Sequence, residues 1–250
     1  MSVGYLFTWL MVMLRSIGVV VQLPVIAGQA IPVVVRLGIS VGVATLLGGL
    51  VPPALVPPGL GALTIAALME LIAGFALGLV VRMSFGAVEM AGRIISGEIG
   101  LMAQPGLGAP EPAHEPLAAA LSALAVVLFF ALGAHHGVLV AFAKTFQLAP
   151  PGGVRFDAAA ASVMVAASVH LIELGVRIAA PFMAMNFLVN IAFSALGRAV
   201  PKMNVFIISF SVRTLFGISL LGTAGALIGR YLYVEFGELP LRLLQLLRAR

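Results

Sequence analysis

The sequence predicts an all-α integral membrane protein. Three observations carry this expectation: a composition too apolar to cover a water-facing surface, a succession of apolar runs of bilayer-crossing length, and Pro/Gly-rich breaks between them. Of 250 residues, 62% are apolar and 9% charged, against about 25% charged and 45–50% apolar in a soluble domain. Mean hydropathy is +1.17. Lys and Arg number 14 against 9 Asp and Glu, a net charge of +5. The cations are scattered singly through apolar sequence, which points to membrane orientation and away from nucleic acid. With no cysteine, disulfides, thiolate metal sites and cysteine nucleophiles are excluded.

At about 20 residues per crossing of a roughly 30 Å hydrocarbon core, six apolar runs are long enough to span: residues 3–26, 37–55, 60–81, 117–142, 158–196 and 205–233. The fifth is interrupted by Glu173, Arg177 and Pro181 and is read as one tilted or kinked helix. The first carries Arg15 where a signal peptide needs an unbroken apolar stretch, so it is read as a retained helix. Residues 82–104 form a different element. Arg82, Gly86, Glu89, Arg93, Ser96, Gly100 and Gln104 recur at steps of three and four, while Phe85, Val88, Ile95, Ile99 and Met102 fall off that line. This is the pattern of an amphipathic helix whose polar stripe needs water or a protein partner. Pro52, Pro53, Pro57 and Pro58, then Pro105 to Pro116, then Pro150 to Gly153 mark the connections. No stretch is long enough for a separate soluble domain, so residues 1–250 are read as one helical unit. Arg242, Arg248 and Arg250 follow the last run, and no charged side chain precedes Arg15. The positive-inside rule then puts the C-terminus in the cytoplasm.

Ionisable side chains inside apolar helices are the most informative residues, since each costs about 2.5–3.5 kcal/mol at the bilayer centre. Arg15, Glu70, Glu173, Arg177 and Arg213 qualify. Glu173 with Arg177, and Glu89 with Arg93, are spaced i, i+4 and can neutralise each other locally. Arg15 and Glu70 lack such a neighbour and need partners elsewhere in the fold or on another subunit. Two uses are open, a proton or ion relay and structural ion pairs in packed interfaces, with the second preferred. His135 and His136 are adjacent on a helix, about 100° apart, and no ligand spacing supports a metal site. His114 and His170 add nothing specific. Gly38/Gly42, Gly74/Gly78, Gly133/Gly137 and Gly225/Gly229 match the small-xxx-small spacing of close helix packing. Walker-type, GxSxG and rhomboid-type motifs are missing, so no catalytic residue is assigned.

Further blocks occur in a fixed order. Pro24-Val25-Ile26 precedes Ile31-Pro32-Val33-Val34-Val35-Arg36-Leu37. Glu70-Leu71-Ile72-Ala73-Gly74-Phe75-Ala76-Leu77-Gly78 follows, then Ala91-Gly92-Arg93-Ile94-Ile95 with Gly100-Leu101, then Gly133 to Leu139. The most specific block runs from Pro181-Phe182-Met183 through Asn190, Arg198, Pro201 and Asn204-Val205-Phe206 to Phe210. In this order and spacing the sequence resembles the FliR/SctT family from end to end. One departure is Gly-Ala-His-His at 133–136, where the family commonly has an acidic residue before Gly-His.

The resemblance implies a non-enzymatic subunit of a type III protein export gate in the bacterial inner membrane, flagellar by overall similarity, with no cofactor and no bound metal. Its implied partners are FliP-like and FliQ-like gate subunits, which build a helical ring with it, a FlhB-like subunit wrapped around the gate, unfolded secreted protein substrates and membrane lipid, but no nucleic acid. It also implies helical hairpins standing partly above the bilayer, so that hydropathy overstates the crossings. Residues 103–116 fall where the family places a pore-closing plug, giving Met102, Gln104, Pro105, Gly106, Gly108, Pro110, Glu111 and Pro112 as plug residues. Six prolines and glycines in those fourteen positions keep the loop from becoming a helix. Arg15, Glu70, Glu89, Arg93, Glu173, Arg177 and Arg213 are then expected as buried or intersubunit charges. The alternative is a small-solute secondary transporter with Arg15 and Glu70 as coupling pair. Such transporters show internal repeats, and none is evident between the two halves.

Overall fold

A computed structural model describes residues 3–23, 32–101, 116–200 and 204–248, with helices and connections but no strand among them. The helices are α1 Val3–Gln22, α2 Val33–Gly48, α3 Leu60–Glu98, α4 Pro116–Ala131, α5 Ala134–Leu148, α6 Ala158–Ala199 and α7 Val205–Arg248. Among the described residues, α1, α3, α6 and most of α7 are long and apolar enough to cross a membrane, and the bent pair α4–α5 counts as at most one more span. The all-α membrane class is as expected.

Four elements differ from the sequence reading. The second run, 37–55, is not a crossing: its helix, α2, starts earlier and stops at Gly48 after 16 residues, ahead of Pro52 and Pro53, and is too short to span. The third apolar run and the amphipathic segment form one continuous helix, α3, because no Pro or Gly pair separates Val81 from Arg82. The fourth run breaks instead of crossing as one helix. Gly133 takes a left-handed conformation, φ +69°, which glycine adopts without a Cβ penalty, and α4 and α5 meet there at 70°. The last run extends past Tyr233 and through Pro240 to Arg248, so Arg242 lies within α7 instead of on a tail. The fifth run is one helix despite Pro181, as read. At 1.5 Å per residue, the 39, 42 and 44 residues of α3, α6 and α7 reach roughly 58–66 Å, about twice the hydrocarbon core.

The chain divides into two compact units. The first comprises Met1–Ser84, Phe130–Val169 and Phe236–Arg250, the second Phe85–Phe129 and His170–Glu235. In the first, α1 lies against α3 through glycines. A Cβ built at Gly18 would stand 2.5 Å from the Phe75 nitrogen, and one at Gly78 would stand 2.7 Å from Gln22 Cβ. A Cβ at Gly74 would collide with the Arg15 carbonyl. The Gly74/Gly78 pair is therefore a real close-packing face. Gly38, Gly42, Gly225 and Gly229 instead face open space. Phe7, Met11 and Ala66 form a small core, and Leu239, Leu243 and Leu246 of α7 are also buried.

In the second unit the apolar line of the amphipathic segment is interior: Phe85, Val88, Ile95 and Ile99 are all buried. Phe85 meets Phe129 edge-on at 5.3 Å. Glu89 and Arg93 on the polar line are exposed, as is Arg82 at the end of the first unit's part of α3, whereas Ser96 and Gly100 are buried and Ser96 bonds back to the Gly92 carbonyl. Hydrophobic periodicity therefore placed the apolar face of this segment, and its polar face only as far as Arg93.

Candidate functional site

The first unit is organised around one buried charge cluster. Arg15, past the middle of α1, and Glu70, about three turns into α3, are both 0% exposed. They pair as a fork. Arg15 Nε donates to Glu70 Oε2 at 2.6 Å and Nη2 to Oε1 at 2.9 Å. Nη2 also donates to the Ala149 carbonyl at 3.0 Å, and Nη1 to Thr145 Oγ1 at 3.1 Å. Four of the five guanidinium N–H groups are thereby satisfied. Glu70 Oε1 accepts a further bond from the Gly152 N–H at 2.8 Å, and the Phe146 ring lies 4.1 Å from Arg15 Cζ, within cation–π range.

Each element has a local reason to deliver its group. The glycine face lets α1 and α3 approach closely enough for the short fork. Gly152 turns with φ +78°, packs over Phe7 and aims its N–H inward. Taking two charges out of water costs several kcal/mol per ion, and the attraction repays this only when the remaining polar capacity is also satisfied. Here all but one of the guanidinium N–H groups have an acceptor. The cluster ties α1, α3, α5 and the 149–153 connection together.

A second polar network runs through the other unit. Asn186 Nδ2 on α6 donates to the Glu98 carboxylate at the end of α3. Asn190 Nδ2 donates to Asn186 Oδ1 at 3.3 Å, and Arg213 Nη2 on α7 donates to Asn190 Oδ1 at 2.6 Å. Thr214 Oγ1 reaches the Ile99 carbonyl at 2.9 Å. Gly100, at φ +81°, sits against the Phe210 ring. The C-terminal end of α3 is thus held by side chains of α6 and α7. His170 Nε2 and Glu235 Oε2 stand 2.7 Å apart, the latter almost fully buried.

The remaining charges behave differently from Arg15 and Glu70. Arg93 bonds Glu89 at 2.6 Å, and Arg177 bonds Glu173 at 2.5 Å. Within the chain these four side chains are not buried but 49–59% exposed. Their i, i+4 spacing satisfies each pair on its own helix without help from another element. Met102, Gln104, Pro105, Gly106, Gly108, Pro110, Glu111 and Pro112 lie outside the described residues. The ring centroids of His135 and His136 lie 3.9 Å apart with the planes tilted by 39°. Among the described residues, no group of three or more potential ligands could hold a metal ion.

Sequence reasoning missed several members of these networks. Thr145, Gly152, Glu98 and Asn186 carry no motif. Asn190 stood in a resemblance block without a role. His170 was passed over, although an ionisable residue in an apolar run is itself a signal.

Residues 6–239 match the model of a family described as bacterial export proteins, family 1. The flagellar biosynthetic protein FliR of Caulobacter vibrioides is 31% identical over 219 residues, covering 84% of this chain and 85% of that protein. FliR of Escherichia coli K12 is 25% identical over 228 residues, 91% of this chain and 87% of the relative. FliR of Bacillus subtilis is 24% identical over 212 residues, 82% and 81%.

Proposed function

The chain belongs to the bacterial export proteins, family 1, and is a component of the flagellar protein export apparatus; from that premise we propose that it is a non-enzymatic core subunit of the export gate in the bacterial inner membrane. In this role it forms, with FliP-like and FliQ-like subunits, the channel for unfolded substrates, and a FlhB-like subunit flanks it. The observation that carries this function is the pair of half-exposed ion pairs, Glu89–Arg93 and Glu173–Arg177, on long apolar helices. A charge facing lipid at mid-bilayer costs about 2.5–3.5 kcal/mol. Such side chains therefore belong against other subunits or water. Only 17% of the most apolar window of α6, and of α7, is buried within the chain, which leaves most of two roughly 60 Å helices to be covered from outside.

The loop at residues 103–116 closes the channel in this proposal, and the C-terminus is cytoplasmic. The clamp on Glu98, Ile99 and Gly100 supports the first of these by giving the loop a fixed root. Arg15 and Glu70 act inside the subunit, not as a coupling pair, in this reading: both are fully buried and bonded to each other. Isolation of the tagged chain from native membranes should yield a large hetero-oligomer with two other small hydrophobic proteins. A stable chain alone, transporting a small solute after reconstitution, would overturn the proposal.

A further inference from the structure

The first unit contains an apolar groove of about 620 Å³, within the roughly 300–1,000 Å³ range of small-ligand sites. Leu47 at the end of α2, Leu50 just beyond it, and Val140 and Phe146 of α5 line it. Pro52, Pro53, Pro150 and Pro151 complete the wall. We propose that this groove holds an acyl chain of an anionic phospholipid, with the headgroup phosphate on Lys144.

Two observations select that occupant. The first is the lack of free backbone donors along the wall. Proline has no N–H, the Leu50 and Val51 N–H groups are spent on the Leu47 carbonyl, and the Ala54 N–H is spent on Thr8 Oγ1 at 2.8 Å. The α5 donors are consumed by the helix. A peptide laid in this groove would find only the Lys144 and Gln147 side chains as donors for its carbonyls, whereas a hydrocarbon chain needs none.

The second is charge. Lys144 lines the groove, is exposed, and has no hydrogen-bond or ion-pair partner among the described residues. A free cation beside an apolar slot in a membrane protein complements an anionic headgroup above a hydrocarbon tail. The neighbouring cavity of about 580 Å³ carries Arg155 and Asp157 together and so has no net preference of this kind. The single tryptophan, Trp9, lies against Gly48, next to Leu47, and donates to Thr45 Oγ1 at 3.3 Å. Tryptophan concentrates at the membrane–water interface, which is where a lipid headgroup sits.

The test uses the full chain, purified in detergent and stripped of lipid, then offered phosphatidylglycerol or phosphatidylcholine with identical acyl chains, with retained lipid counted by native mass spectrometry. Phosphatidylglycerol should be retained about fivefold better, from roughly one basic side chain's interaction. Lys144→Gln should abolish this preference while leaving residual binding of both lipids, and Lys144→Arg should keep it. Because Lys144 is exposed, both variants should fold. Ala143→Phe, which fills the groove, should lower retention of both lipids. Equal retention of the two lipids by the unmodified chain, or a preference that survives Lys144→Gln, would overturn the assignment. So would a photo-reactive group at Gln147 that captures polypeptide instead of lipid in native membranes. None of these results depends on whether the chain forms a channel.

Discussion

Replacing Arg15 by Met leaves Glu70 fully enclosed with only the Gly152 N–H as a partner and strips the Ala149 carbonyl of its donor. Glu70→Leu leaves the opposite fault, a buried guanidinium without its counter-charge. Breaking a buried pair from one side costs about 3–5 kcal/mol. At about 2–4 °C per kcal/mol for a chain of this size, each single variant should lower the thermal midpoint of the detergent-solubilised protein by roughly 6–20 °C. The double variant removes both charges and leaves two backbone groups without their partners, at about 1–3 kcal/mol each. Its loss should therefore be well below the sum of the singles, by about 4 kcal/mol on these figures. Thermal unfolding of all four proteins closes the cycle. Strict additivity, within about 0.5 kcal/mol, would refute the coupling. A single-variant loss below about 1 kcal/mol would show that water reaches the site.

Two further outcomes follow from packing and exposure. Gly74→Leu places a side chain into the Arg15 backbone and should destabilise by at least the 1–3 kcal/mol of ordinary overpacking. Thermal unfolding of the detergent-solubilised chain reports this, and Gly225→Leu, where a Cβ meets nothing else in this chain, is the control expected to leave the isolated chain's midpoint unchanged. The double change Glu173→Ala with Arg177→Ala removes an exposed helix pair. It should alter the stability of the isolated chain by only about 0.3–0.5 kcal/mol while weakening recovery of the hetero-oligomer, measured by co-purification. A large stability loss with unchanged recovery would contradict the intersubunit role.

The apolar runs, the apolar face of residues 82–101 and the Gly74/Gly78 contact were legible because they depend on local periodicity and spacing. Helix continuity was less so. Nothing at Val81–Arg82 breaks the chain, but the change from all-round apolar to striped sequence looked like a boundary between elements. The reverse held at Gly133, where one glycine inside an apolar run carries a 70° bend that hydropathy averaging hides. Arg15 and Glu70 were recognisable as charges in need of partners. Their pairing with each other, 55 residues apart, depends on the α1–α3 crossing and has no expression in spacing. The same is true of Asn186 with Glu98 and of His170 with Glu235. The resemblance identified the family, and the family match supported it.

The claim on which the function rests is that sister proteins cover the open faces of α6 and α7. A photo-reactive amino acid at Phe187, 64% exposed, or at Leu215, 68% exposed, tests it directly in native membranes. Buried Phe182 serves as the internal control. Cross-linking from the two exposed positions should produce discrete adducts with small hydrophobic export subunits and none from Phe182. Adducts with lipid alone at both exposed positions would contradict the claim.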